Sequence, residues 1–284
     1  MSIKIITDSP SDLLLSEGEK LQVNIVPLNI HIGEESYKEG IDITTNIFYD
    51  KLKKSDKLPT TSAPSPDDYL AYYQEAKEAG DDVIVITLAS ALSATYQSAN
   101  IAKDMLDYPK IHVVDSTQAT IGQLLIVKYA ISLRDEGKSA EEIVNIIENA
   151  KTRVKLLAVF DTLDYLHKGG RLPKTVAIAS GLLNIKPIIK LENGSLNLIA
   201  SARGYKSSLK RLLKLIDSYG NINPKVSAIF GYTGNTEEAI NQAVGFKEQV
   251  DAKYNLDKTE LCQIGSVIGT HAGPKAFGIA FLKD

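Results

Sequence analysis

The chain has 284 residues, 44% of them apolar, and a formal net charge of −3 with both signs interspersed. That length and apolar content support one large α/β domain or two smaller ones and exclude a disordered chain, and the lack of a Lys/Arg block argues against nucleic acid as a partner. A single cysteine, Cys262, precludes an internal disulfide and suits a reducing compartment; with no secretory h-region at the start and no long apolar run for stable membrane insertion, a cytoplasmic location is expected.

In chain order, residues 3–7 read as an apolar strand ending in Thr7-Asp8-Ser9, followed by a helical pattern over 11–21 and a second strand over 23–32. A helix is expected over 47–54. The hydroxyl-rich run Thr60-Thr61-Ser62-Ala63-Pro64 then precedes a helix over 66–79, with Ser65 at the N-cap, Pro66 at the first helical position and Asp67 and Asp68 at its positive end. The apolar run 83–88 is a buried strand. It leads through Ser90-Ala91-Leu92-Ser93 into a helix over about 93–106, a strand over 111–115 and a helix over 117–136. Strands alternating with helices favour a mostly parallel, doubly wound sheet. Asp8-Ser9 and Asp115-Ser116 fall at the carboxyl ends of their strands, where such sheets bind ligands; capping of the following helices is the plainer reading.

Ser139-Ala140-Glu141-Glu142 is a capping box for a helix to about 151. Beyond it come a strand over 156–160, the Lys168-Gly169-Gly170-Arg171 turn after a short helical pattern, and a hairpin over 187–200 about Asn193-Gly194. A basic helix over 204–219, a strand over 226–232, a capped helix to about 253 and two strands over 258–262 and 276–282 complete the chain. The change in pattern places a boundary near 150–155, dividing residues 1–152 from a second α/β domain over 153–284.

Two hydroxyl-rich segments ahead of helices, neither containing Lys or Arg, imply a modest anion held by hydrogen bonds, such as a carboxylate. Gly269-Thr270-His271-Ala272-Gly273-Pro274 reads as a tight irregular loop, which would place His271 off any helix face and available to such an anion. Arg171, beside two glycines, is expected to be exposed on a cationic turn. Cys262 reads as a small core residue, and no ligand spacing recruits it to a metal. Apolar residues Phe160, Leu163, Ile178, Leu182, Leu183 and Ile188 are candidates to line a tunnel, although the same residues would build any core.

Taken together, Thr7-Asp8-Ser9, Thr61-Ser62-Ala63-Pro64-Ser65-Pro66, Leu92-Ser93-Ala94-Thr95-Tyr96-Gln97-Ser98-Ala99, Lys168-Gly169-Gly170-Arg171 and Gly269-Thr270-His271-Ala272-Gly273-Pro274 resemble the ordered motifs of the DegV family over nearly the whole chain. The resemblance implies two α/β domains with a fatty acid between them. It implies a lipid-binding protein, with no cofactor or catalysis of its own, that serves as the FakB-like subunit of a bacterial fatty acid kinase. There a separate ATP-binding subunit phosphorylates the bound acyl carboxylate. By the same resemblance Thr61, Ser62 and Ser93 hold the carboxylate, His271 stands near it, and Arg171 engages the kinase. Ala94 and Lys275 depart from the family pattern, which has glycine at both; Lys275 would add a cation behind His271.

Two other readings are open from the residues alone. Ser93 with His271 suggests a hydrolase, but Ser93 lacks the Gly-x-Ser-x-Gly elbow and no acid presents itself to orient the histidine. The doubly wound character suggests a nucleotide or sugar-phosphate enzyme, but no Gly-rich phosphate loop is present.

Overall fold

The computed structural model describes residues 2–172, 184–223 and 226–284. Of the expected tunnel residues, Ile178, Leu182 and Leu183 lie outside these. The first half contains β1 (Ile3–Asp8), a 3₁₀ turn (Ser9–Ser11), α1 (Leu15–Leu21), β2 (Val23–Val26), β3 (Asn29–Ile32), β4 (Glu35–Lys38), α2 (Thr45–Lys54), β5 (Thr60–Ser62), α3 (Pro66–Ala79), β6 (Asp82–Thr87), α4 (Thr95–Leu106), β7 (Ile111–Asp115), α5 (Thr120–Asp135) and α6 (Ala140–Lys151). The second contains β8 (Val154–Val159), α7 (Asp164–Lys168), β9 (Ile185–Glu192), β10 (Ser195–Arg203), α8 (Tyr205–Ser218), β11 (Ile229–Tyr232), α9 (Glu237–Tyr254), β12 (Glu260–Gln263), α10 (Ser266–Ala272) and β13 (Phe277–Leu282).

Strands β2-β1-β6-β7 form a parallel sheet in that order. The order reverses between β1 and β6, so the chain's connections diverge there and leave a crevice at the carboxyl ends of the strands. Two expectations change here. Residues 23–32 are not one strand: Pro27 has no N–H to continue a ladder, so the chain leaves the parallel sheet after Val26 and re-forms as β3 elsewhere. The run Thr60–Ser62 is not simply the lead-in to a helix but a short strand, β5, pairing antiparallel with β3 in a three-stranded sheet β4-β3-β5.

The second half builds a six-stranded sheet in the order β10-β9-β8-β13-β11-β12, antiparallel except for the β11–β12 pair. Asn193 and Gly194 both take positive φ, 50° and 75°, at the tip of the β9–β10 hairpin, as a two-residue turn with right-handed strand twist requires. Capping follows the sequence closely: Ser65 with Asp68 and Ser139 with Glu142 close reciprocal boxes, and Thr236 caps α9.

Helix α5 is buried on every side over residues 121–127, where Ile121, Leu124, Leu125, Ile126 and Val127 supply the apolar surface, and Ala130 is buried beyond them. A helix of that character has to be covered all round. It packs against β1 and β6 of the parallel sheet and against β8, β11 and β13 of the second sheet. One apolar cluster therefore runs from Ile5 and Ile84 through α5 to Leu156, Ile229 and Ala280. No helix among the described residues is long and apolar enough to cross a membrane.

Candidate functional site

The crevice at the carboxyl edge of the parallel sheet faces the six-stranded sheet across a cavity of about 1010 Å³, its open mouth included. Leu28, Leu88 and Ala119, each just beyond the end of a parallel strand, form one wall, and Leu156, Ala158 and Phe160, alternate residues on or next to β8, form the opposite one. The alternation also decides the candidate tunnel residues. Phe160 lines the cavity, whereas Leu163 packs beside it without lining, and Ile188 points to the other face of the sheet while its neighbour Ile189 faces in. Gly278 pairs with Gly231 on one side and Ala158 on the other, so the sheet is nearly bare here. Ile264 and Ile121 pack onto it so closely that a Cβ on Gly231 would stand 2.6 Å from Ile264 Cδ1.

Thr61, Ser62, Ser93, Arg171 and His271 all line this one cavity, although they come from four separate stretches of chain. The hydroxyls of Thr61 and Ser62 diverge, as successive strand residues must. Thr61 Oγ1 lies 2.8 Å from His271 Nε2, whereas Ser62 Oγ lies 3.1 Å from His31 Nε2. Ser93 Oγ accepts from the Thr95 N–H at 3.3 Å and lies 2.7 Å from Thr95 Oγ1. It thereby closes the turn into α4, which starts at Thr95 and not at Ser93.

His271 overturns one expectation outright. It is the penultimate residue of a regular helix, α10, and not part of an irregular loop. Gly273 and Pro274 act as the helix stop, with Gly273 at φ 70°. Gly269 sits inside the helix for a packing reason, since a Cβ there would lie 2.6 Å from the Tyr49 hydroxyl. Burial, and then the nearby Arg171 cation, push the His271 imidazole down to about 4, so it is neutral near pH 7. Its Nδ1 is buried without a hydrogen-bond partner among the described residues and faces Gly169, where a Cβ would stand only 2.4 Å away.

Arg171 is half-buried and not turned outward, contrary to the exposed basic turn expected for it. Its Nη1 donates to the Gly169 carbonyl at 2.8 Å and its Nε to the Leu92 carbonyl at 3.3 Å. Tertiary folding thus brings a guanidinium to a cavity whose two hydroxyl-bearing segments carry no cation. The same contacts tie the Gly169-Gly170 turn to the serine turn before α4. Asp115 holds that turn from below, accepting from Ser90 Oγ at 2.5 Å and from the Thr117 N–H at 2.8 Å, and Gly194 N donates to Thr117 O at 3.1 Å.

Three buried acids take roles that the sequence reading did not give them. Asp8, last residue of β1, does not cap a helix; its carboxyl accepts from the Leu88 N–H at 2.8 Å and from Gln123 Nε2 at 2.7 Å, joining the two strands at the switch point. Burial pushes it up to about 7. Asp12 and Glu39 hold the amino end of α10. Only the position of Asp12 shortly after Thr7-Asp8-Ser9 hinted at a role. No group of three metal-ligating side chains is assembled among the described residues. Lys275 has φ 64°, a backbone state that favours glycine, and its ammonium pairs with Glu238 at 2.7 Å, not with His271. Ala94 takes φ −74°, which costs an alanine nothing. Burial pushes the Cys262 thiol up to about 12, consistent with an unreactive packing residue.

Residues 2–284 match the family model described as "Uncharacterised protein, DegV family". A DegV domain-containing protein of Caldanaerobacter subterraneus is 37% identical over 279 residues, 98% of each chain. Among solved structures, a DegV family protein from Thermus thermophilus described for its fatty acid binding superposes with a TM-score of 0.90 at 28% identity, all of both chains being covered. The Streptococcus pneumoniae Fatty Acid Kinase B3 protein, loaded with linoleic acid, gives 0.86 at 26%, again over all of both chains. A match over the whole chain, a relative above 30% identity and a common fold lead to one conclusion: the chain belongs to the DegV family.

Proposed function

We propose that this protein binds a long-chain fatty acid, with the carboxylate at the Thr61–His271–Ser93 end of the cavity and the tail along its apolar walls, and presents it to a separate ATP-dependent kinase subunit for acyl-phosphate formation. The observation that carries the reading is a neutral imidazole bonded to Thr61 at one end of an otherwise largely apolar cavity. Hydroxyl and imidazole donors position a carboxylate at roughly 1–3 kcal/mol each without a full ion pair at every oxygen. The walls supply more, at roughly 0.8 kcal/mol for each buried CH₂ before ordering costs. The names of the Thermus and Streptococcus proteins, which bind fatty acid, support the same reading.

Arg171, assigned to the kinase by family resemblance, would act from beside the head group. A guanidinium there would meet the charge that accumulates when a carboxylate takes a phosphoryl group. The hydrolase reading gains nothing from the geometry. Ser93 Oγ bonds to Thr95 and His271 Nε2 to Thr61, so nucleophile and base are not paired, and His271 Nδ1 has no carboxylate to orient it.

Native mass spectrometry of the protein purified from its host should show a co-purifying fatty acid. With the ATP-binding subunit and ATP supplied, the loaded protein should yield acyl phosphate, and Arg171→Ala should retain lipid while losing that product. An empty protein that takes up no palmitate would refute the binding reading. Full acyl-phosphate yield from Arg171→Ala would refute the role given to Arg171.

A further inference from the structure

The helix that carries His271 is held at its other end by two acids from the first half of the chain. Asp12 Oδ1 accepts from the Gly265 N–H at 2.7 Å, and its Oδ2 accepts from the Thr120 hydroxyl at 2.5 Å. Glu39 Oε1 accepts from the Val267 N–H at 2.8 Å and the Ser266 hydroxyl at 3.1 Å, while its Oε2 is buried with no partner. From α2, the Tyr49 hydroxyl donates to the Ile264 carbonyl at 3.0 Å. The two carboxyls close on Gly265 so tightly that a Cβ there would stand 2.5 Å from Glu39 Oε1 and 3.0 Å from Asp12 Oδ1.

We propose that Asp12 and Glu39 are positioning residues for the head-group end of the cavity: by gripping the amino end of α10 they set where His271 stands against Thr61. The inference rests on the reading of this cavity as a carboxylate site. Helix α10 is a single short rod, and His271 lies five residues, roughly 7.5 Å, beyond Ser266. Ile264, Val267, Ile268, His271 and Ala272 all line the cavity, so a shift of this segment moves the imidazole and one wall together. Thr120, which holds Asp12, lines the cavity as well.

Asp12 and Glu39 are 9% and 7% exposed, and no ion pair with either is formed among the described residues. The titratable groups acting on them are also uncharged or acidic: Asp8 at the end of β1, Tyr49 on α2 and Cys262 on β12. Burial, and then Glu39, push Asp12 up to about 8, and burial pushes Glu39 up as well. Near neutral pH the pair therefore carries less than its full charge, and ionising both would set two uncompensated charges against each other beside Gly265.

The test uses the full chain stripped of lipid, with ¹⁵N signals of the His271 ring (assigned by loss in His271→Gln) and palmitate affinity as readouts. Asp12→Ala and Glu39→Ala should shift the ring signals and weaken palmitate about fivefold or more. Asp12→Asn should keep both near wild type. Because His271 itself titrates far lower, ring signals of the wild type that drift between about pH 6.5 and about pH 9 report the carboxyls, and Asp12→Asn should shrink that drift to what Glu39 alone contributes. Unmoved ring signals in a folded alanine variant overturn the proposal. If the alanine variants do not fold, a drift that is absent, or that survives at full size in Asp12→Asn, overturns it. Ring signals that behave as expected in a protein that binds no palmitate would sink the fatty-acid reading and leave the positioning role standing.

Discussion

Gly169→Ala isolates the contact between the Gly-Gly turn and His271. The backbone tolerates alanine, since Gly169 has φ −75°. The added Cβ is the whole perturbation: it would lie 2.4 Å from His271 Nδ1, 3.2 Å from its Cε1 and 2.9 Å from the Tyr165 carbonyl. Restoring an ordinary contact of about 3.4 Å moves the imidazole by about 1 Å. Because Nδ1 and Nε2 face nearly opposite sides of the ring, a straight retreat from Gly169 would drive Nε2 into Thr61; the ring has to swing aside, and the 2.8 Å bond between Nε2 and Thr61 Oγ1 is broken. Overpacking at roughly 1–3 kcal/mol plus a lost bond at roughly 0.5–1.5 kcal/mol puts the destabilisation at about 2–4 kcal/mol. That corresponds to a fall in Tm on the order of 5–10 °C. Palmitate affinity should drop about tenfold, because the donor set loses its geometry. Scanning calorimetry and a palmitate displacement titration read the two effects. Wild-type Tm together with wild-type affinity would show that the imidazole is not seated against Gly169 as described.

Thr61→Val keeps the shape of the residue but removes the hydroxyl, so palmitate binding should weaken about five- to thirtyfold; an unchanged affinity in the displacement titration would take Thr61 out of the site. Ser93→Ala should weaken palmitate binding several-fold with a Tm within about 2 °C of wild type, and equal binding would remove Ser93. Asp8 is raised to about 7 by burial, so the folded chain holds a proton that the unfolded chain releases near pH 4. Its contribution is complete below that lower pKa and is lost as pH rises through about 7; urea midpoints at pH 5 and pH 8 should differ less in Asp8→Asn than in wild type, and equal differences would refute this. Lys275→Gly relieves a positive φ at the loss of an exposed ion pair, so Tm should hold or rise slightly and palmitate affinity stay within about twofold; a large affinity change would restore Lys275 to the head group.

Local signals in the chain were sufficient wherever the physics is local. Helix α3 runs from Pro66 to Ala79 as its N-cap, proline and acidic first turn dictate, and the Asn193-Gly194 hairpin follows from two residues that tolerate positive φ. The run of apolar residues in α5 already requires a helix covered on all sides. Family resemblance carried Thr61, Ser62, Ser93, Arg171 and His271 as a set, and the fold gathers all five around one cavity. What the chain did not disclose depends on packing between distant segments. Gly269 looks like a loop residue until Tyr49 is placed against it, and so His271 looked like part of a loop when it belongs to a helix. Arg171 looked exposed because two glycines precede it; carbonyls of Gly169 and Leu92 fold it inward. Asp12 and Glu39 reach Gly265 and Val267 across more than two hundred residues, and no periodicity or cap rule records such a contact. Caps and periodicity determined most of the long helices and the strands of the parallel sheet, but not the split of residues 23–32, the strand at Thr60–Ser62 or helix α10. The protonation of His271, the inward turn of Arg171 and the grip on α10 were decided by tertiary structure, because burial and the charges brought alongside set them, and both exist only once the chain is folded.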